Sequence, residues 1–103
     1  MKTPATLSPG DCTPELREKA LALDIREPYE RNGAPEAILA MPNVPMAEWK
    51  AIPARFPDRP LVLCCAAGVR TRMCVELLNF PEGIYAWTGS IHDWVRENNG
   101  KTS

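Results

Sequence analysis

The hydrophobic pattern of the chain is a series of short apolar runs separated by prolines and charged turns. Leu61-Val62-Leu63-Cys64 is apolar at every position, as a parallel strand buried on both faces should be. Leu21-Ala22-Leu23-Asp24-Ile25 and Ile84-Tyr85-Ala86-Trp87 read as two more strands, and Ile38-Leu39-Ala40-Met41, stopped by Pro42, as another. Between them lie helical signals. Thr13-Pro14-Glu15-Leu16 places a Thr cap before Pro and an acid in the first turn. Glu27-Pro28-Tyr29-Glu30 is a turn or a single helical turn. Asn32-Gly33 and Phe56-Pro57-Asp58-Arg59-Pro60 are loops. Met46 to Ile52 reads as a short helix with Trp49 inward, ended before Pro53. A helix from about Arg70 to Leu78 puts Cys74, Leu77 and Leu78 on one face. After a turn at Thr88-Gly89-Ser90, a closing helix from Ile91 to Asn98 turns Ile91, Trp94 and Val95 inward. Strands alternating with short helices predict an α/β fold with a mainly parallel sheet.

With 103 residues the chain is read as one domain, residues 1–103. Hydrophobic residues make up 45% of it, which excludes wholesale disorder. Its eleven prolines do not form a linker; spread from Pro4 and Pro9 to Pro81, they punctuate the elements. The formal net charge of -1 argues against a chain held to nucleic acid or acidic lipid by charge. The longest apolar run, Leu61 to Ala67, is far too short to span a bilayer, and Met1 to Leu7 lacks a signal-peptide core. The expectation is a cytoplasmic protein, or a fragment whose address was removed, with no membrane or nucleic-acid partner. Four cysteines without a Cys-x-x-Cys spacing read as thiols in a reducing compartment rather than as disulfides or metal ligands.

The chemistry concentrates in Leu61 to Thr71. A buried strand ends in cysteine, a loop of small residues with Gly68 follows, then Arg70 and a helix. Ligands of open α/β sheets bind at the carboxyl ends of strands. A loop entering a helix N-terminus aims backbone N–H groups inward, and these favour an anion. A cysteine sulfur held there is stabilised as thiolate and attacks without a neighbouring base. Ala66, Ala67 and Gly68 leave room for backbone to approach the sulfur, and the planar fork of Arg70 suits an anionic substrate.

Cys65-x-x-Gly68-x-Arg70-Thr71 resembles the active-site loop of the rhodanese family, the thiosulfate and persulfide sulfurtransferases. Leu23-Asp24-Ile25-Arg26-Glu27 is similar to the family's signature after its second strand. Leu39-Ala40-Met41-Pro42 with Met46-Ala47-Glu48-Trp49, and Ile84 through Trp94, are similar to two further family segments in the same order. The resemblance implies a three-layer α/β/α rhodanese-like fold on a central, mainly parallel five-stranded sheet. It also implies sulfane-sulfur transfer from thiosulfate or a persulfide, through a Cys65 persulfide, to a thiol, cyanide or a sulfur-accepting protein, with no metal or organic cofactor. The substrate cradle carries over to Ala66, Ala67, Gly68, Val69, Arg70 and Thr71. The chain also departs from the pattern. Ala66 and Ala67 stand where many members carry a charged or polar residue, which predicts weak use of thiosulfate. Ser90 replaces a glycine, Arg31 to Ala37 retains only Gly33, Pro35 and Ala37 of the usual wording, and the link from Leu78 to Ile84 is short. Trimmed loops and a more open site are the expectation.

Alternatives remain open at this level. Cys64-x-x-x-x-x-Arg70 has the spacing of cysteine-dependent phosphatases, although Gly68 lies three residues after Cys65 rather than Cys64, and Leu63 stands where phosphatases carry His. A non-catalytic rhodanese-like binding or sulfur-relay module is a further alternative, against which the retained Cys65, Gly68 and Arg70 weigh. Cys64 and Cys74 read as core thiols, with a resolving role for either as the sharper reading. Cys12 lies near a helix start. His92 reads as a surface or supporting residue rather than a base. Asp24 and Arg26 read as an internal ion pair or loop brace. Arg72 reads equally as a solvated helix residue or a source of positive potential at the pocket mouth. Trp49, Trp87 and Trp94 read as core, with Trp49 also able to line the site.

Overall fold

The computed structural model describes residues 6–8 and 11–102, with 98–102 as backbone only. Pro4, Pro9 and Met1 to Ala5 lie outside the described residues. The elements are β1 (Thr6–Leu7), α1 (Pro14–Lys19), β2 (Leu21–Asp24), α2 (Glu36–Leu39), α3 (Ile52–Arg55), β3 (Leu61–Cys64), α4 (Val69–Leu78), β4 (Ile84–Trp87) and α5 (Ile91–Thr102). Two 3₁₀ segments, Pro28–Arg31 and Met46–Ala51, lie between β2 and α3.

The apolar run at Leu61 becomes the inner strand of a parallel sheet ordered β1-β4-β3-β2. Leu61 pairs with Leu21 and Ile84, and Leu63 with Leu23 and Ala86. All four β3 residues are buried, because side-chain alternation serves two cores. Leu61 and Leu63 join Leu23, Trp49, Ile52 and Val75 on the α3/α4 side. Val62 and Cys64 join Leu7, Ile38, Trp87, Ile91 and Trp94 on the α2/α5 side. The architecture is thus three-layered α/β/α. Trp87 and Trp94 meet edge to face at 5.1 Å, a favoured aromatic geometry. The Arg17 guanidinium lies over Trp94 and bonds Glu97, joining α1 to α5.

The described residues form four strands, not five. The segment Ile38–Met41, expected as a strand, is helical in α2 and its following turn. Four apolar residues carry no period that distinguishes strand from helix. Here Pro35 and Glu36 start a helical turn, and the Ala40 amide closes it on the Glu36 carbonyl. Beyond it the Arg31 guanidinium donates to the Ile38 carbonyl at 2.6 Å and to the Met41 carbonyl that follows the helix at 2.8 Å. A cation at a helix C-terminus is favoured. What survives of a strand is one parallel bridge between Asp24 and Asn43. The edge strand β1 has no counterpart in the sequence reading, since its two residues carry no pattern.

Two helix expectations also change. Met46–Ala51 is 3₁₀, and the chain continues through Pro53 as α3. Proline is tolerated in a first helical turn, where its missing N–H has no intrahelical role. On α4 the inward residues are Thr71, Cys74 and Val75 with Leu78 against them, while Leu77 is 75% exposed. Among the described residues no helix is long and apolar enough to cross a membrane.

Arg31 also stands 3.3 Å from the buried Asp24 carboxylate, so one side chain ties α2 to the end of β2. Arg31→Met removes both carbonyl donors and should lower stability by about 2 kcal/mol, read as a lower urea midpoint at unchanged m-value.

Candidate active site

β3 delivers two adjacent thiols to opposite layers. Cys64 is buried on the α2/α5 side, with its thiol aimed at the Val62 carbonyl at 3.9 Å. Burial pushes the Cys64 thiol well above the ordinary range, assisted by the Asp24 and Cys65 charges. It is therefore protonated at neutral pH and faces away from the loop that follows. The nucleophile that the phosphatase spacing requires is not at that loop.

Cys65, 1% exposed, lies on the α3/α4 side. The Ile91 amide donates to its carbonyl at 2.8 Å, which fixes the start of the loop to the start of α5. The chain then turns back, and the Gly68 amide donates to the Cys65 sulfur at 3.1 Å. Gly68 does this at φ 83°, left-handed backbone that glycine adopts without penalty. Its missing side chain is required twice over, since a Cβ would stand 2.3 Å from the Thr88 carbonyl oxygen.

The fully buried Thr71 holds the other side of the loop. Its hydroxyl is shared between the Gly68 carbonyl at 2.9 Å and the Trp87 carbonyl at 3.0 Å. The Cys65 thiol donates to the Thr71 oxygen at 3.9 Å. Val69, Arg70 and Thr71 form the first turn of α4, whose amides have no acceptor within the helix. The Arg72 amide already closes on the Gly68 carbonyl. The loop is thus a nest of backbone donors beside a sulfur. Ala66, Ala67 and Val69 are exposed around it.

Arg70 does not point a free fork at the loop. Its guanidinium is bidentate to Glu30, at 2.6 and 2.8 Å. Glu30 is pinned by the Glu27 amide at 2.9 Å, in a capping box on the Pro28–Arg31 turn. The Arg70 side chain holds the Glu30 carboxyl at about 2, below its ordinary 4.5. In return Glu30 raises the pKa of Arg70, to which the Cys65 charge adds.

Asp24 and Arg26 form a buried ion pair, Nε to Oδ1 at 3.0 Å and Nη2 to Oδ2 at 3.2 Å. The Arg26 amide donates to the same carboxylate at 3.0 Å. Asn43 donates to the carbonyls of both residues, bracing the β2 end beside the loop. Trp49 belongs to the core, its indole N–H shared between the Ile25 and Val44 carbonyls. Cys74 is buried in the same core, and burial pushes its thiol to about 12. His92 is exposed on α5. Arg72 is exposed and borders, with Ala67, Gly68 and Thr88, a groove of about 500 Å³ outside the loop. Among the described residues no cluster of His, Cys, Asp and Glu is placed to hold a metal.

Glu30, Arg31, Asn43 and the Thr88 carbonyl are contributors that the sequence reading did not name. Only Glu30 left a trace: an acid three residues after Glu27 across Pro28, the spacing of a capping box.

No family model matches the chain, and no curated protein sequence does. Among solved structures, the crystal structure of a rhodanese-related protein from Thermoplasma volcanium is similar, with a TM-score of 0.67 and 26% identity. The match covers 90% of this chain and 92% of that one. The fold is rhodanese-like.

Two measurements probe this geometry. Gly68→Ala should cost more than about 2 kcal/mol, from the left-handed backbone and the Thr88 clash together, and should alter the alkylation rate of Cys65. The Glu30–Arg70 pair makes stability pH-dependent. A lowered carboxyl pKa stabilises fully above the ordinary value and loses that contribution as pH falls through the folded one. The stability gap between the parent and Glu30→Gln should therefore be constant above pH 4.5 and close toward pH 2, as followed by denaturant midpoints.

Proposed function

We propose that this chain is a sulfurtransferase in which Cys65 carries sulfane sulfur as a persulfide. The observation that carries the reading is the Gly68 amide donating to the Cys65 sulfur at 3.1 Å, ahead of the free amides of the α4 first turn. Backbone donors of this kind stabilise negative charge on sulfur and keep their orientation as the charge moves outward by one atom. The likeness to a rhodanese-related structure over 90% of the chain supports the same reading.

The steps follow from that geometry. The Cys65 thiolate attacks the outer sulfur of the donor, and a new S–S bond forms. With thiosulfate, the bond from that sulfur to the sulfonate breaks and sulfite leaves with the electron pair. With a persulfide donor, the departing group is the donor's own thiolate. The persulfide anion on Cys65 is then held by the amides of the loop, Ala66 through Thr71. An acceptor thiolate, or cyanide, attacks the outer sulfur, and the Cys65 thiolate departs to restore the starting state. Charge balances in both halves, with no oxidant, metal or organic cofactor. Asp24 and Arg26 brace the strand end and do not touch the sulfur. A cytoplasmic setting, with small thiols or a sulfur-accepting protein as acceptor, suits this chemistry.

Incubation with thiosulfate or an alkyl persulfide should add about 32 Da to Cys65, seen in the intact mass and removed by cyanide. Cys65→Ser should lose both the adduct and turnover, and Cys64→Ser should keep them. A wild-type protein that takes up sulfur from neither donor class overturns the reading.

A further inference from the structure

The arginine in the first turn of α4 is already occupied. Arg70 leads the approach to the cradle, yet both its terminal nitrogens are bonded to the two oxygens of Glu30. The carboxylate is not a passing surface group. It is 19% exposed, the Glu27 amide holds it in place, and the turn that carries it is anchored to Met46 through the Glu27 side chain. A small dianion seeking Arg70 would have to displace a preformed bidentate partner. On the rim Ala66, Ala67 and Val69 are exposed and uncharged and Tyr29 beside Glu30 is exposed, which leaves Arg72, exposed on the groove outside the loop, as the other arginine near the mouth. Arg26 and Arg31 are committed to the buried Asp24.

We propose that Glu30 is a specificity residue. By occupying Arg70 it withholds that cation from an incoming anion, disfavouring small dianionic donors relative to persulfides carried on weakly charged thiols. This rests on the sulfurtransferase reading for its chemistry but not for its test. The discrimination acts on binding, because the transfer step at Cys65 is the same for both donors: one S–S bond forms, one breaks, and the leaving group takes the electron pair. A like charge fixed beside Arg70 removes that residue's attraction and adds repulsion for a dianion, while a monoanionic or neutral donor loses little.

The test is equilibrium binding of thiosulfate to protein in which Cys65→Ala blocks turnover. Adding Glu30→Gln, which keeps side-chain volume and a hydrogen-bond acceptor but releases Arg70, should tighten binding by about tenfold. Adding Arg70→Gln to that background should abolish the gain, an outcome that a merely structural role for Glu30 does not produce. Glu30→Ala serves as a second release of Arg70, and the folded fraction of each variant is read from its thermal transition. With Cys65 present, Glu30→Gln should lower the KM for thiosulfate by a similar factor and change kcat much less. Unchanged or weaker thiosulfate binding in both folded Glu30 variants overturns the assignment, as does a gain that survives Arg70→Gln. Tighter binding by protein that never forms a Cys65 persulfide would overturn the sulfurtransferase reading and leave Glu30 as the gate on anion binding.

Discussion

The close approach of the Gly68 backbone to Thr88 sets the geometry of the whole carboxyl end of the sheet. With no side chain at 68, the loop after β3 descends until a Cβ would meet the Thr88 oxygen at 2.3 Å. That descent brings the Gly68 carbonyl within reach of Thr71, whose hydroxyl also reaches Trp87 at the end of β4. The same turn aims the Gly68 amide at the sulfur. Meanwhile the Cys65 carbonyl is taken by the first residue of α5. Two strand ends and two helix starts thus meet around one sulfur atom, and each contact is made by backbone or by a hydroxyl that is fully buried. Such contacts change little with salt or pH, and they are rigid because the elements behind them are packed into two cores.

Charge is handled differently, by cancellation. Asp24 lies at the end of β2 with Arg26 and Arg31 both turned toward it, and Glu30 takes Arg70. Burying a carboxylate alone would be prohibitive, whereas a carboxylate with two guanidiniums and a backbone amide is tolerated. The Glu30–Arg70 pair cancels, while the Asp24 cluster keeps one positive charge in excess and does so away from solvent. The near-zero net charge of the chain likewise reflects charges that are largely paired rather than gathered into one patch.

The strands that were legible in the sequence are those whose residues face two cores. Leu61–Cys64 had no polar position to confuse it, and Ile84–Trp87 and Leu21–Asp24 had lengths and stops that fit a strand. The loop from Cys65 to Thr71 was legible because its constraints are local: a glycine, small neighbours and a helix start within seven residues. Ile38–Met41 is helical because Arg31, outside the run, donates to carbonyls at its start and end, and nothing in an apolar run announces that a guanidinium will cap it. Helical spacing puts Leu77 on the face of Cys74, but the inward stripe of α4 is set by Thr71, Cys74 and Val75. A buried threonine holding two carbonyls outweighs a leucine there. The engagement of Arg70 by Glu30 spans forty positions and is invisible to any motif spacing.

The adjacent cysteines show how strand parity divides one residue type into two chemistries. Cys64 and Cys65 share a backbone environment and differ by one step of the pleat. That step sends Cys64 into an apolar layer, where its sulfur meets only a carbonyl acceptor and burial keeps it protonated. It sends Cys65 to the other layer, where the chain has left the strand and can fold back to present an N–H. The difference in surroundings therefore rests on the position of Gly68, three residues after one cysteine and four after the other: only the nearer sulfur meets its amide.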